Sequence, residues 1–384
     1  LIVLHASAAD WQWMAVNGVA TWYPTATICK PDRDGAWHSA IKVIGDMMKQ
    51  WRNAGSPAVT AIPSSGVVAD PHQLVTTRHG PMLVNRNDQS IGRALVEYGE
   101  CMAHEGQLLE QMWRARPGCV IDIGANLGVL SIPLARALAS EGRELVAIEP
   151  QPTLFRLLCA NLAISGIKNV TTLPFACAAH AGLIELASID PDRPGEFVRP
   201  AGVEEAVGPT MRVEARRLDE VVGERTVGMM RIDAAGRELQ VLEGATRIVA
   251  RFRPVLYVSN PRADRSQALV EWLWSKGYQL WWHVPPRFNP RNFAGNPDNR
   301  FGTTVGVYLL AIPRAIEAKV EGLSPVDDAF VHPLKPRLES RRPEGRRPVL
   351  QARYWETYRT WRHGHRHLLL GNTEREYRHL SERQ

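Results

Sequence analysis

The stretch Cys119-Val120-Ile121-Asp122-Ile123-Gly124-Ala125-Asn126-Leu127-Gly128 decides the fold. A short apolar run ends on Asp122, and a glycine-rich turn then feeds an apolar helix over 129–138. In an open α/β sheet, the first strand-to-helix turn is where a nucleotide-like ligand sits. Glycine lets the backbone come close to such a ligand and adopt dihedrals closed to other residues. The spacing is Gly-x-x-x-Gly, without the three glycines of the dinucleotide fingerprint, so no pyrophosphate has to be cradled. An acid ending the first strand suits a ligand with an amino group.

A second acid follows at the right distance. Glu144-Leu145-Val146-Ala147-Ile148-Glu149-Pro150 reads as a buried strand closing on Glu149. A carboxylate there accepts hydrogen bonds from both hydroxyls of a ribose. Pro150 and Pro152 suit the first turn of a helix, where a missing N–H costs little. That helix carries Leu154, Phe155, Leu157, Leu158, Leu162 and Ile164 on its apolar side. S-adenosylmethionine, with its methionine amino group and its ribose, is one such ligand.

With these marks the chain resembles the FkbM-type S-adenosylmethionine-dependent methyltransferases. The likeness begins at Gly80-Pro81-Met82-Leu83-Val84-Asn85, Asn87-Asp88-Gln89-Ser90-Ile91-Gly92 and Glu97-Tyr98-Gly99-Glu100. It runs through the Asp122–Gly128 turn and Glu149-Pro150-Gln151-Pro152, then Asn161-Leu162-Ala163 and Asn169-Val170. It ends with Leu218-Asp219-Glu220, Arg231-Ile232-Asp233 and Gly236-Arg237-Glu238-Leu239-Gln240-Val241-Leu242-Glu243-Gly244-Ala245. Each motif is weak alone, and the ordered set is specific. The resemblance implies a Rossmann-like fold and O-methylation of a hydroxyl on a sugar or secondary metabolite.

Three positions depart from the family pattern. Ala235 stands where the family has an acid before the glycine, and Ser259 where it tends to end the next strand with glutamate. Both lost carboxylates belong at the carboxyl edge of the sheet, near the transferring methyl. Arg231 replaces the usual lysine, which keeps the charge and changes the donor geometry.

The chain of 384 residues is long enough for one large core with extensions at both ends. The expected layout is an N-terminal extension over 1–75, a methyltransferase domain over 76–312 and a basic, partly helical extension over 313–384. The five cysteines show no paired metal spacing, and no metal is expected. Three of them lie in apolar or motif contexts and read as small core residues, and a reducing cytoplasm is the expected compartment. No apolar run reaches membrane-spanning length. The start of the chain is a poor signal peptide, with no basic leader. Much of the formal net charge of +6 comes from 335–366, so a solvated tail is expected in preference to a nucleic-acid interface.

Within the N-terminal extension, Asp34 is placed to cap a helix over 37–51. Its stripe of Trp37, Ile41, Ile44, Met48 and Trp51 would dock on the main domain or on a partner, a second copy of the chain included. Extended segments and turns are expected over 76–100, then a helix over 105–114. Strand and helix then alternate as in a doubly wound, mostly parallel sheet. Strands are placed at 119–123, 144–149, 170–175, 228–233 and 254–259. A terminal antiparallel hairpin is placed at 278–283 and 305–310. The stretch 189–210 reads as an insertion, and a last helix is placed at 352–362.

The expected cofactor contacts are Tyr98 from the family motif, Asp122, Gly124, Ala125, Asn126 and Gly128 of the turn, and Glu149 and Pro150. Pro174-Phe175-Ala176-Cys177-Ala178 follows the third strand, where this fold seats a base. The adenine is therefore expected beside Ala176 or Cys177, with Phe155 or a neighbour on its face. Asp233, ending the fourth strand, is the candidate catalytic acid–base group, and His283 the second candidate. The long loop after His283 is rich in Asn, Pro and aromatics, and loops of such length are often functional. Asn289, Asn292 and Phe293, with Glu100, form the expected acceptor-binding set. The leading expectation is methyl transfer to a small-molecule acceptor. The alternative is an impaired descendant acting as a binding or interaction module, favoured by Ala235 and Ser259. An NAD-dependent oxidoreductase is disfavoured by the missing fingerprint.

Overall fold

The computed structural model describes residues 71–197 and 209–336, with short strand segments elsewhere. The chain divides into two compact units, Leu1–Val68 and Ala69–Gln384. In the first, the strands Ile2–Leu4, Ala15–Val16, Val19–Ala20 and Thr27–Cys29 form one sheet. Of the expected helix over 37–51, only Lys42, Asp46 and Lys49 are described, and they are helical. The expected cap Asp34 and the helix over 352–362 lie outside the described residues.

The second unit opens with the hairpin β1 (His72–Thr77) and β2 (Gly80–Asn85), then α1 (Ile91–Tyr98) and α2 (Ala103–Met112). The helix α1 corrects the expectation of only extended segments and turns over 76–100. Strand and helix then alternate: β3 (Cys119–Ile123), α3 (Ser131–Ala139), β4 (Leu145–Ile148), α4 (Pro152–Ile164) and β5 (Val170–Leu173). A small sheet of β6 (Ala176–Cys177), β7 (Gly182–Ala187) and β8 (Thr210–Arg216) interrupts the alternation, with β7 and β8 antiparallel. The 189–210 stretch thus joins two strands that the sequence reading did not place.

After α5 (Leu218–Val221) come β9 (Val227–Ile232), α6 (Glu238–Glu243), α7 (Thr246–Phe252), β10 (Val255–Ser259) and α8 (Ala263–Ser275). The unit closes its sheet with β11 (Tyr278–His283), β12 (Tyr308–Pro313) and the edge strand β13 (Ser324–Pro325). The eight strands lie in the order β13-β11-β12-β10-β9-β3-β4-β5. From β5 to β10 all neighbours are parallel, and β12 is antiparallel to both β10 and β11. This is a Rossmann-like doubly wound sheet with an antiparallel hairpin at one end. The second hairpin strand starts three residues later than expected, because Val305–Val307 is spent on a loop return: Gly306 N donates to Pro285 O at 2.8 Å.

Alternation along the strands feeds two cores. Ile121 and Ile123 pack with Val241, Ile248, Leu269 and Leu273 from α6, α7 and α8. Val120, one residue before Ile121, packs on the other face with Leu108, Leu109, Leu134 and Leu138 from α2 and α3. The central strands are buried on both faces, which is why they read as continuous apolar runs.

One close approach sets the site's position. Gly124 has φ 81°, and a Cβ there would lie 2.0 Å from the carbonyl oxygen of Asp233. Asp233 N also donates to Ile123 O at 2.9 Å. The turns after β3 and β9 therefore touch backbone to backbone. Gly124→Ala should cost about 1–3 kcal/mol from the left-handed dihedral alone, before the clash is counted. Urea unfolding should show a lowered midpoint with little change in slope, and an unchanged midpoint would contradict this packing.

Candidate active site

A cavity of about 440 Å3 opens at the carboxyl edge of the parallel strands. Its walls come from the turns after β3, β4, β9 and β10, from β6 and β7, and from the return of the 284–307 loop. Seven of the expected cofactor residues line it: Gly124, Ala125, Asn126, Glu149, Pro150, Ala176 and Cys177.

Glu149 ends β4 with its carboxylate bridging two turns. Oε2 accepts from Asn126 N at 2.8 Å, and Oε1 from Gln151 N at 2.9 Å. Burial pushes its pKa up to about 7, against the pull of these two N–H groups. Each oxygen keeps a further lone pair for a ribose hydroxyl. Beyond it, Ala176 and Cys177 line the place expected for a base, with Leu154 and Phe175 as the nearby apolar walls. Phe155 points elsewhere: it is buried in the core and off the cavity, and its neighbour Leu154 takes the lining position.

Three other expected cofactor residues support the site without lining it. Asp122 is fully buried. Its Oδ2 accepts from Ser131 Oγ at 2.6 Å and its Oδ1 from Arg231 Nη1 at 3.0 Å, so it braces the turn from beneath. Gly128 has φ 96° and packs against Leu158, where it closes the turn. Tyr98 donates its hydroxyl to Asp298 O at 2.8 Å and receives Arg300 N at 3.2 Å, which ties down the long loop.

Asp233 lines the cavity. Its Oδ2 accepts from Arg231 Nη2 at 2.6 Å, and Oδ1 takes no hydrogen bond among the described residues. Arg231 Nη1 also donates to Gly124 O at 2.8 Å. Burial works against the arginine's charge, yet Asp122 and Asp233 outweigh it and the net shift is upward. The turn that follows holds Ala235 at φ 52°, with Glu238 Oε1 accepting from Ala234 N at 3.0 Å and Gly236 N at 2.9 Å. Ala235 and Ser259 both line the cavity, so it lacks the two carboxylates that the family resemblance predicts there.

His283, the second catalytic candidate, is fully buried off the cavity. Its Nδ1 lies 2.7 Å from Tyr257 Oη, and burial holds its pKa well below the ordinary histidine value. A neutral imidazole away from the cavity is a packing residue.

The acceptor set is corrected in the same way. The strand β11 runs parallel to the central strands, so the 284–307 loop does emerge at the cavity edge. Its amides, however, are consumed in holding its own shape. Asn289 Nδ2 donates to Glu100 Oε1 at 2.7 Å, and Phe293 N to Glu100 Oε2 at 3.1 Å. Asn292 Nδ2 donates to Asn296 O at 2.6 Å. Glu100, Asn289, Asn292 and Phe293 do not line the cavity, whereas Arg287, Val305, Gly306 and Val307 do. Sequence reasoning missed Arg287; the signal was its place just past the end of a sixth strand parallel to the others.

S-adenosylmethionine fits these residues: an acid on the ribose position, an apolar slot for a base, and a close backbone turn between them. No group of His, Cys, Asp and Glu among the described residues could hold a metal ion. No described helix is long and apolar enough to cross a membrane.

Residues 122–280 match the model of the methyltransferase FkbM domain, so the resemblance stands over that span. A search of curated proteins returns no match. Among solved structures, methyltransferase FkbM from Methylobacillus flagellatus KT aligns at 17% identity with a TM-score of 0.34, over 50% of this chain and 43% of that one. A putative O-methyltransferase from Klebsiella pneumoniae aligns at 16% identity and TM-score 0.37, over 59% of this chain and 88% of that one. The chain thus spans less than half the length of the first of these.

The Glu149 pKa gives this site a pH signature. A carboxylate expected to accept from two ribose hydroxyls must be ionised to do so, and burial pushes the Glu149 pKa up to about 7. Affinity for S-adenosylhomocysteine should therefore tighten as pH rises through 7 and level off above. Glu149→Gln should flatten that profile and weaken binding about ten- to a hundredfold at high pH. Titration calorimetry across the range checks both, and a wild-type profile flat through pH 7 would refute the assignment.

Proposed function

We propose that this chain, which carries a methyltransferase FkbM domain over residues 122–280, moves a methyl group from S-adenosylmethionine to a hydroxyl of a small acceptor. The observation that carries the reading is the single cavity shared by Glu149, the Gly124–Asn126 turn and Asp233. When bound, the cofactor supplies a methyl group on a positive sulfur.

The chain's own part is positioning and proton handling. Methyl transfer is an in-line displacement: the oxygen–methyl bond forms as the sulfur–methyl bond breaks, and the hydroxyl proton leaves. Fixing the acceptor oxygen behind the methyl supplies much of the rate. Arg231 holds one oxygen of Asp233, which leaves Oδ1 to orient the hydroxyl and take its proton as positive charge on sulfur is lost. Any carboxylate is a weak base toward a hydroxyl, so proton transfer falls late in the displacement. Water then accepts the proton from Asp233 at the open side.

The absence of acids at Ala235 and Ser259 favours a second reading, a cofactor-binding module with impaired catalysis. The two differ in turnover. Asp233→Asn should lower kcat by about a hundredfold or more, the usual scale for a positioned acid–base group. It should leave S-adenosylhomocysteine affinity within about threefold, since Asp233 is not placed on the ribose. Release of S-adenosylhomocysteine over a panel of hydroxylated acceptors is the measurement. A wild-type chain that binds the cofactor and turns over none of them would support the module instead.

A further inference from the structure

The wall of the cavity away from Glu149 is strongly basic. Arg231, Arg237, Arg262 and Arg287 line it, and Asp233 is the acid beside them. The acids Glu185 and Glu196 lie on β7 and the segment after it, both solvent-exposed. At Ala235 and Ser259 this wall carries methyl and hydroxymethyl groups in place of carboxylates.

The arginines differ in how they are committed. Arg231 is spent on Asp122, Asp233 and Gly124. Arg262 makes a two-point pair with Asp264 at 3.0 and 2.7 Å. Arg287 is anchored on one side only: Nη1 donates to the buried Glu105 at 3.1 Å, and its guanidinium lies 6.0 Å from the Tyr308 ring centre. Its Nε and Nη2 make no hydrogen bond among the described residues. Its backbone is fixed too, because Arg287 N donates to Thr304 O at 3.0 Å. The side chain is about one-quarter exposed, at 27%. A guanidinium held from behind, with its remaining donors open to a cavity, is preorganised for two-point recognition of an oxyanion.

We propose that the acceptor is an anionic hydroxyl compound, a carboxylate or a phosphate monoester, whose charged group is gripped by Arg287 while its hydroxyl lies at Asp233. The proposal rests on the methyltransferase reading and narrows its substrate class. The competing claimant for Arg287 is the carboxylate of the cofactor's own methionine moiety, and the experiment separates the two.

Titration calorimetry is run on the full chain saturated with S-adenosylhomocysteine. The probes are 3-hydroxybenzoate against 3-hydroxybenzamide, and glycerol 3-phosphate against glycerol. At least one anion should bind about tenfold more tightly than its neutral partner, the scale of one charge-assisted hydrogen bond. The pair with the larger ratio tells carboxylate from phosphate. Arg287→Ala should erase the preference and leave S-adenosylhomocysteine affinity unchanged. Arg287→Gln, which can still donate to Glu105, is the second variant should the alanine change unfold the chain, and it should lose the preference likewise. Equal binding of anions and neutral partners overturns the proposal. So does a preference that survives both variants, or a loss of S-adenosylhomocysteine affinity in them, which would assign Arg287 to the cofactor. Failure of the wild-type chain to bind S-adenosylhomocysteine would instead sink the methyltransferase reading itself.

Discussion

One buried guanidinium holds the site together. Arg231 is 3% exposed and joins Asp122 at the end of β3 to Asp233 just past β9, with Gly124 O as a third acceptor. A charge taken out of water is costly unless its partners and geometry are good, and losing one partner leaves the rest uncompensated. The three contacts therefore stand or fall together, and with them the two turns that frame the cavity. Arginine suits the task because its planar fork reaches two carboxylates and a carbonyl at once, where an ammonium is a compact point charge. The departure from the family lysine at this position is thus a change in what the residue can tie together.

A second constraint fixes the long loop. A segment such as 284–307 would ordinarily pay a large ordering cost. Here the cost is offset by contacts to one corner of the fold. Glu100 accepts from Arg78, Asn289 and Phe293, and Tyr98 receives the loop at Asp298 and Arg300 while packing edge-on against Phe288. The residues that looked most like ligand contacts are the ones that build the loop. What they leave facing the cavity is Arg287 and the return through Val305 to Val307.

The parallel core was legible because its strands are buried on both faces and so read as unbroken apolar runs. The acids that close two of them were legible for the same reason: Asp122 and Glu149 are polar groups where apolar patterning stops. The pair β7 and β8 was not, although Met211, Val213 and Ala215 alternate with polar neighbours in β8; in β7 only Glu185 separates Ile184 from Leu186, and Leu183 and Ala187 blur the pattern. Their inward faces pack on a small satellite cluster, too short a pattern to stand out amid Pro, Gly and Glu. In the site, sequence order placed Glu149 and Asp233 at the cavity. It did not reveal that Asp122 faces Arg231, since both acids end strands in the same way and only packing tells an inward carboxylate from a ligand-facing one. Arg287 had only its place past the end of β11 to mark it, because its anchor, Glu105, is far away in sequence.

The two missing acids bear on chemistry more than on shape. At Ala235 the backbone is left-handed, and the turn is closed by Glu238, which accepts from the N–H groups on either side of that residue. Burial pushes the Glu238 pKa up to about 7, yet the two N–H groups it holds keep the turn in place. After Ser259 the chain is held by its neighbours as well: Asn260 N donates to Val307 O at 2.8 Å, and His332 Nε2 lies 2.8 Å from Asn260 O. Neither turn therefore needs a carboxylate at 235 or 259 to keep its form. Those positions are free to follow whatever the cavity holds, and without acids there the field at the acceptor end is set by the arginines. On the proposed reading Asp233 is the carboxylate that meets the acceptor hydroxyl, and it is itself held by Arg231. A carboxylate is a weak base toward a hydroxyl, which puts the burden of rate on alignment of the acceptor.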